Sequence, residues 1–332
     1  MSNRQIQLAA RPVGRIKPTD WAHVTVPVAG PGPGEFAGRT RMISLDPAMR
    51  GWLDDRPSYL PPVGIGEVMR AGSVVEVTAS NHPDYRPGDH VLGTFGVREY
   101  VVSDGSGVRK VDPSAAPLST YLGALGMPGM TAYFGLLDVG ALKAGETVVV
   151  SGAAGAVGTM VGQIAKVRGA RVIGIAGGAE KCALLTKELG FDAAIDYRSD
   201  DVRKALRSEA PDGIDVYFDN VGGDILDAAL ANLAMHARVV ICGAISQYNE
   251  TEARGPANYL ALLVRRARME GFLVFDYVAR YAEAMREVAG WIGEGRIKVR
   301  EHVVTGTVDD FPATLDMLFR GDNIGKLVLK LT

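Results

Sequence analysis

The rhythm of hydrophobic and polar positions along this chain changes near residue 120. Before it, short runs rich in β-branched and aromatic residues, "RTRMISLD" (39–46), "GSVVEVTAS" (72–80) and "DHVLGTFGVREYVVS" (89–103), are broken by turn-forming clusters such as "HPDYRPGD" (82–89). Strands at that spacing predict an antiparallel, partly closed β-barrel. After it, "YLGALGMPGMTAYFGLLDVG" (121–140) spaces its apolar residues as a helix does, and strands then alternate with helices. The predicted strands are 146–153, 171–177, 193–197, 213–221, 237–245 and 269–275, with helices at 156–169, 180–190, 200–210 and 224–234 between them. Such β-α alternation predicts a doubly wound parallel sheet. A last helix at 281–295 ends in glycines, and the tail from Ile297 returns to strand and short helix. The tail is expected to rejoin the first domain and close a cleft between the two.

Composition narrows the classes. A chain of 332 residues with 47% hydrophobic and 22% charged residues is long enough for two cored domains and has globular values. The formal net charge of -2 gives no global attraction to nucleic acid or anionic lipid, so small molecules or copies of itself are the expected partners. No apolar run approaches the length of about 20 residues that a membrane span needs. The start, "MSNRQIQLAARPVGR", lacks the apolar core of a secretory signal. Cys182 and Cys242, the two cysteines, cannot build a disulfide framework and fit a reducing compartment. These features predict a cytoplasmic protein.

The candidate chemistry lies at the turn after the first strand of the second half. "TVVVSGAAGAVGTMVGQIAK" places Gly152, Gly155 and Gly158 between an apolar strand and a helix. Lacking a Cβ, such a turn lets a pyrophosphate approach the backbone, and the helix N-terminus adds N–H donors. Ala153 stands where the usual G-x-G-x-x-G has its first glycine, but the strand before, the helix after and the next strand about 20 residues on are what a dinucleotide-binding βαβ unit requires. An NAD site ends its second strand in an acid that takes the ribose hydroxyls. Here the chain reads Ala176, Gly177, Gly178, followed by Glu180 and Lys181. An uncharged pocket with Lys181 in the following helix suits the 2′-phosphate of NADP, and Tyr197, just after the third strand, is a candidate hydroxyl donor to it.

Zinc is not expected: two distant cysteines and five scattered histidines, His23, His82, His90, His236 and His302, offer no ligand cluster. A hydride-transferring enzyme without a metal must take an acceptor activated in its own structure, which points to a conjugated C=C–C=O. No G-x-S-x-G elbow or cysteine-nucleophile motif supports a hydrolase. "VRRAR" (264–268) reads as a solvated helix face.

At these residues the chain resembles the medium-chain dehydrogenase/reductase superfamily, and within it the zinc-free double-bond reductases acting on prostaglandins, leukotrienes, alkenals and curcumin. The carriers are "SLDPAMRGWL", "GMPGMTAYFGLLDVG", "AAGAVGTMVGQIAK", "GGAEKC", "YFDNVGG", "CGAISQYN" and "GDNIGK", spread over nearly the whole chain. "DDRPSYLPPVGIGEVM" and "SNHPDYRPGDHVLG" are most similar to the bacterial curcumin reductase branch. The resemblance implies a GroES-like barrel domain from residues 1–122 and 296–332 and a Rossmann NADP-binding domain from 123–295. It implies NADPH-dependent reduction of α,β-unsaturated ketones or aldehydes by a homodimer. It also implies cofactor contacts at Gly152, Ala153, Ala154, Gly155, Ala156, Val157 and Gly158, at Lys181 and Tyr197 for the 2′-phosphate, and at Asn220. Cys242, Gly243, Ala244, Ile245, Ser246, Gln247 and Tyr248, then Phe272, Leu273 and Val274, and finally Asn323 complete the implied lining. One departure stands out: relatives carry a substrate-binding tyrosine where this chain has Val264. Tyr59, in "RPSYLPP", and Tyr259 are the remaining candidates for a proton donor. Two other readings stay open, a quinone oxidoreductase of the same fold and a catalytically idle NADPH-binding regulator or RNA-binding module.

Overall fold

The computed structural model describes residues 2–252 and 254–332. In chain order its first strands are β1 (Ser2–Leu8), β2 (Trp21–Pro27), β3 (Phe36–Ser44), β4 (Gly72–Ser80), β5 (His90–Thr94), β6 (Tyr100–Ser103) and β7 (Arg109–Val111). Then come α1 (Met127–Phe134), β8 (Thr147–Ser151), α2 (Ala156–Val167), β9 (Arg171–Ala176), α3 (Ala179–Ala183), β10 (Ala193–Asp196) and α4 (Val202–Glu209). β11 (Ile214–Asp219), α5 (Gly223–Leu230), β12 (Leu233–Ile241), α6 (Leu260–Arg265), β13 (Arg268–Gly271) and α7 (Tyr281–Gly293) follow, and β14 (Glu301–Gly306), α8 (Phe311–Arg320) and β15 (Lys326–Leu331) close the chain.

The chain divides into two compact units. The first comprises Met1–Leu122, Glu301–Asn323 and Leu327–Thr332, and the second Gly123–Arg300 and Ile324–Lys326. The tail thus returns at Glu301 rather than at 296, and three of its residues count with the second unit.

In the first unit a sheet runs in the order β14-β15-β3-β4-β5-β7, antiparallel from β15 to β7, with β6 paired antiparallel to β3, and β1 and β2 form a separate antiparallel pair. β1 was not legible in the sequence because its alternation, "NRQIQL", is carried by polar residues. Ile6 and Leu8 alone are its buried apolar anchors, and Asn3 and Gln5 are buried beside them. "DHVLGTFGVREYVVS" divides into β5 and β6, whose partners are β4 and β3 respectively.

In the second unit six parallel strands lie in the order β10-β9-β8-β11-β12-β13. Counted from β8 this is 3-2-1-4-5-6, a doubly wound Rossmann sheet whose strand order reverses between β8 and β11. The continuous apolar run of β8 follows from burial on both faces. Val148 and Val150 pack into one core, Val149 into the other, and all three are fully buried. The apolar spacing at 224–234 suggested one helix, yet α5 stops at Leu230. Leu233 instead pairs with Ile214 of β11 and begins β12, which reaches Arg238 opposite Val216 only after a register shift, with His236 at a φ of 62°. Strand pairing with a neighbour distant in sequence overrode the local helical period.

Candidate dinucleotide site

Ligands of a doubly wound sheet bind outside the carboxyl ends of its strands where the order reverses, and here those ends are Ser151 and Asp219. Beyond Ser151 the backbone turns at Gly152, in the left-handed region at a φ of 58°. It then enters α2, whose N-cap, Gly155, offers no side chain to the first-turn N–H groups, leaving them for a ligand. A Cβ on Gly158 would lie 2.3 Å from the Gly152 carbonyl oxygen and 2.7 Å from the Ala153 Cα, so only glycine lets α2 seat this closely on the turn. Ala153, at the place of the expected glycine, is fully buried. Its methyl covers Gly174 of β9, where a Cβ would meet it at 3.0 Å. The departure from the glycine pattern is therefore compensated within the same βαβ unit. Gly325, which the sequence reading did not single out, donates its N–H to the Ala154 carbonyl at 2.7 Å, and a Cβ there would lie 2.1 Å from the Arg300 carbonyl oxygen. The "GDNIGK" segment thereby fastens the turn.

The end of β9 holds no carboxylate, and the structure shows what stands in its place. A Cβ on Gly177 would lie 2.7 Å from the Tyr197 hydroxyl and 2.8 Å from two of its ring carbons. The phenol ring therefore lies against the Gly177 backbone where an acid's side chain would begin. Gly178, at a φ of 98°, donates its N–H to Asp196 Oδ1 at 2.8 Å, and Arg198 donates its own N–H to the same oxygen at 3.0 Å. These bonds, Gly178's first, hold the Asp196 carboxyl below its usual pKa. Arg198 Nη1 would be 3.8 Å from a Cβ on Gly178, a second cation at this turn besides Lys181, the half-buried third residue of α3. Arg198 was missed because nothing in its exposed sequence neighbourhood, "DYRSD", points back to Gly178.

At the neighbouring strand end, Asp219 is 1% exposed. Its Oδ1 accepts from Ser151 Oγ (2.8 Å), the Tyr217 hydroxyl (2.9 Å), Val221 N–H (3.1 Å) and Gly222 N–H (3.0 Å). Burial nonetheless raises its pKa above the ordinary carboxylate value. Ser151 Oγ also accepts the Asn220 N–H (2.9 Å), and Asn220 Nδ2 donates to the Ser151 carbonyl (2.7 Å). The segment after β12 is zipped alongside. Cys242 and Gly243 donate to the Asp219 carbonyl at 2.9 and 3.1 Å, Ile245 to that of Asn220 at 3.2 Å, and Ser246 to that of Val221 at 3.1 Å. Ala244 N–H donates to the Tyr248 hydroxyl at 3.2 Å, and Gln247 ends the short 3-10 turn Ile245–Gln247. Burial, then the negative charge of Asp219, push the Cys242 thiol up to about 12, so it is a neutral wall residue and no nucleophile. Phe272 covers Gly135, where a Cβ would meet its ring at 2.5 Å, and Val274 is buried while Leu273 is partly exposed.

The structure thus gathers the sequence candidates from 152 to 274 at the carboxyl ends of one sheet. Asn323, buried, and Tyr59, whose hydroxyl accepts from Trp52 Nε1 at 3.2 Å, belong to the other unit. Tyr259 directly precedes α6, and it and Val264 are exposed. Among the described residues no group of three or more His, Cys, Asp or Glu could hold a metal ion.

Comparison with known proteins agrees with this architecture. The family described as "N-terminal domain of oxidoreductase" matches residues 4–111, and that described as "Zinc-binding dehydrogenase" matches residues 156–290. The chain is 45% identical to the NADPH-dependent curcumin reductase of Escherichia coli (strain K12), over 99% of this chain and 97% of that one. It is 40% identical to the 2-alkenal reductase (NADP(+)-dependent) of Nicotiana tabacum, over 100% and 98%. The crystal structure of CurA from Vibrio vulnificus in complex with NADPH superposes with a TM-score of 0.94 at 45% identity, covering 99% of each chain. With a Rossmann sheet, an antiparallel unit built from both ends of the chain and relatives of this identity over its full length, the chain belongs to the medium-chain dehydrogenase/reductase family, among its curcumin, alkenal and prostaglandin reductases.

Proposed function

We propose that this protein is an NADPH-dependent reductase of the C=C bond of α,β-unsaturated ketones and aldehydes. The observation that carries the cofactor choice is Tyr197 lying on Gly177 in place of a ribose-binding acid, with Arg198 at the same turn and Lys181 in the helix that follows. That rim fits a 2′-phosphate, and the turn Gly152–Gly158 fits a pyrophosphate because any Cβ at Gly158 would fill the space that brings α2 onto it. When bound, NADPH supplies hydride to the β-carbon of the enone. In this reading the chain's own residues bind and orient. Gly152 to Gly158 hold the pyrophosphate, and Asn220, Cys242–Tyr248, Phe272–Val274 and Asn323 line the ribose and nicotinamide. Tyr59 or Tyr259 donates a hydrogen bond to the enolate oxygen that develops as the double bond is reduced.

The reading is zinc-independent, supported by the lack of a donor cluster among the described residues. We place the protein in the cytoplasm on the strength of its two free cysteines and read it as a homodimer. Support for the dimer is the open edge of the parallel sheet: all four residues of β13 are exposed, flanked by exposed Tyr259, Leu260, Leu263, Val264, Phe275 and Val278. An unpaired edge strand beside apolar side chains is a surface that proteins cover. The quinone reductase reading is the weaker one, since the relatives of 40% identity or more include curcumin and alkenal reductases by name. The test is NADPH oxidation over a panel of enones, enals and quinones. Enone and enal turnover is expected. Tight NADPH binding with no enone or enal turnover would favour the regulator, and turnover of quinones alone would favour the rival enzyme.

A further inference from the structure

The first unit contains an arginine whose buried Nε has no hydrogen-bond partner. Arg98 follows β5 in the segment "TFGVRE" and lines two adjoining cavities, of about 450 Å3 and about 370 Å3, which share Thr94 and Phe95 as their common wall. Its Nε is buried and lacks a hydrogen-bond partner, and among the described residues its side chain makes no hydrogen bond or ion pair. Arg300, whose Nε is also unpartnered, differs in having an ion pair with Glu188. The carboxylates on the two cavity walls are committed elsewhere. Glu35 accepts from Gly32 N–H (2.8 Å), Glu67 from Gly64 N–H (2.8 Å) and Asp104 from Ser106 N–H (2.9 Å). Burial accordingly lowers the Arg98 pKa with no opposing charge to offset it.

A buried Nε–H without a partner carries a desolvation cost, and an unsatisfied group of this kind calls for a missing ion or ligand, while the rest of the half-buried side chain opens onto the two cavities. Space for one is provided by the two cavities that Arg98 lines, and Gly96, at a φ of 77°, keeps the backbone close to the fork, since a Cβ there would lie 3.6 Å from Arg98 Nη2 and 3.0 Å from the Met69 carbonyl oxygen. The planar fork of arginine matches an oxyanion with two acceptor oxygens. Val63, Val68 and Phe95, on the wall of the smaller cavity, give such a group an apolar flank. We propose that this unit carries an oxyanion site centred on Arg98, taking the carboxylate or phosphate group of a small molecule. The site is lined by residues of the first unit alone and does not depend on the reductase reading.

The test uses the full chain with NADPH at saturation, so that phosphate does not compete at the pyrophosphate turn. Sodium benzoate and inorganic phosphate are titrated separately at constant ionic strength, following the thermal midpoint and the Arg98 Nε–H resonance. Saturable stabilisation together with a shift of that resonance is expected for at least one anion. Benzoate alone would identify a carboxylate site, phosphate alone a phosphate site, and both a general oxyanion site. Arg98→Met should weaken the effective anion by about tenfold or more, as the loss of a charge-assisted hydrogen bond does. If that variant does not fold, Arg98→Lys, which keeps the charge and loses the fork, should also weaken it. No saturable response to either anion, or an equal response in the variants, would overturn the proposal.

Discussion

Gly177 decides more than its size suggests. With a Cβ it would collide with the phenol of Tyr197, and an acid there would both displace that ring and repel a phosphate. The glycine was legible in the sequence as a missing acid, whereas Tyr197 was legible as a candidate hydroxyl donor to the phosphate but not as the ring that packs against Gly177. If Lys181 pairs with the 2′-phosphate, Lys181→Ala should weaken NADPH binding by about 1 to 3 kcal/mol, as for a charge-assisted hydrogen bond, and leave NADH nearly unchanged. Calorimetric titration of both cofactors checks this, and equal losses would remove the assignment. The proton donor is also a question of single residues. With Val264 exposed on α6, Tyr59→Phe and Tyr259→Phe are to be assayed under saturating NADPH. A donor aimed at the enolate should lose about 100-fold in turnover when removed, while a wall residue should mainly raise KM. Water and the ribose hydroxyl become the donors if neither variant loses as much as about tenfold.

Between elements, the junction of β8 and β11 is held by one buried carboxylate. Asp219 ties Ser151 at the end of β8 to the Val221–Gly222 turn that opens α5, and its carbonyl receives Cys242 and Gly243 from beyond β12. Three strand ends thus share one residue. Because burial raises its pKa in the folded chain, the folded state holds the proton more tightly than the unfolded state, where the group titrates near 3.9. Its contribution to stability is therefore fully present below about pH 3.9 and is lost as pH rises through the folded pKa. Asp219→Asn has no such titration, so the thermal midpoint of the native protein minus that of the variant should fall across this window and level off above it. A flat difference would mean that the pKa is not raised. The sequence displayed "YFDNVGG" as a motif, but the hydrogen bonds from Ser151, 68 positions away, depend on parallel pairing between β8 and β11, which no local pattern reveals.

For the whole molecule, net charge and cysteine usage limited the partners without placing any. In an apolar, open-edged surface around β13 and α6, Leu263 is 75% exposed. Leu263→Asp should leave the monomer's fold intact and turn a dimer into a monomer, read by light scattering. A native protein that is already monomeric would refute the dimer. Prolonged chelation should leave NADPH-dependent turnover unchanged, because no metal-ligating group of three or more side chains exists among the described residues. Loss of activity restored by added zinc would contradict this reading.

The sequence by itself determined the Rossmann unit, its glycine turn and the absent ribose acid, because each is written in neighbouring residues: period-two and helical spacing, glycines at a turn, an acid replaced by glycine. It also determined that two kinds of structure share the chain, since the apolar rhythm changes near residue 120. Only the tertiary structure decided that Ala153 substitutes for a glycine by covering Gly174, that Tyr197 occupies the acid's space, and that Gly325 fastens the turn from the far end of the chain. It also decided that β12 begins inside a helical pattern and that Arg98 is left without a partner. Each of these rests on atoms brought together across many residues, and burial and hydrogen-bond satisfaction are properties of such neighbourhoods rather than of any local run of sequence.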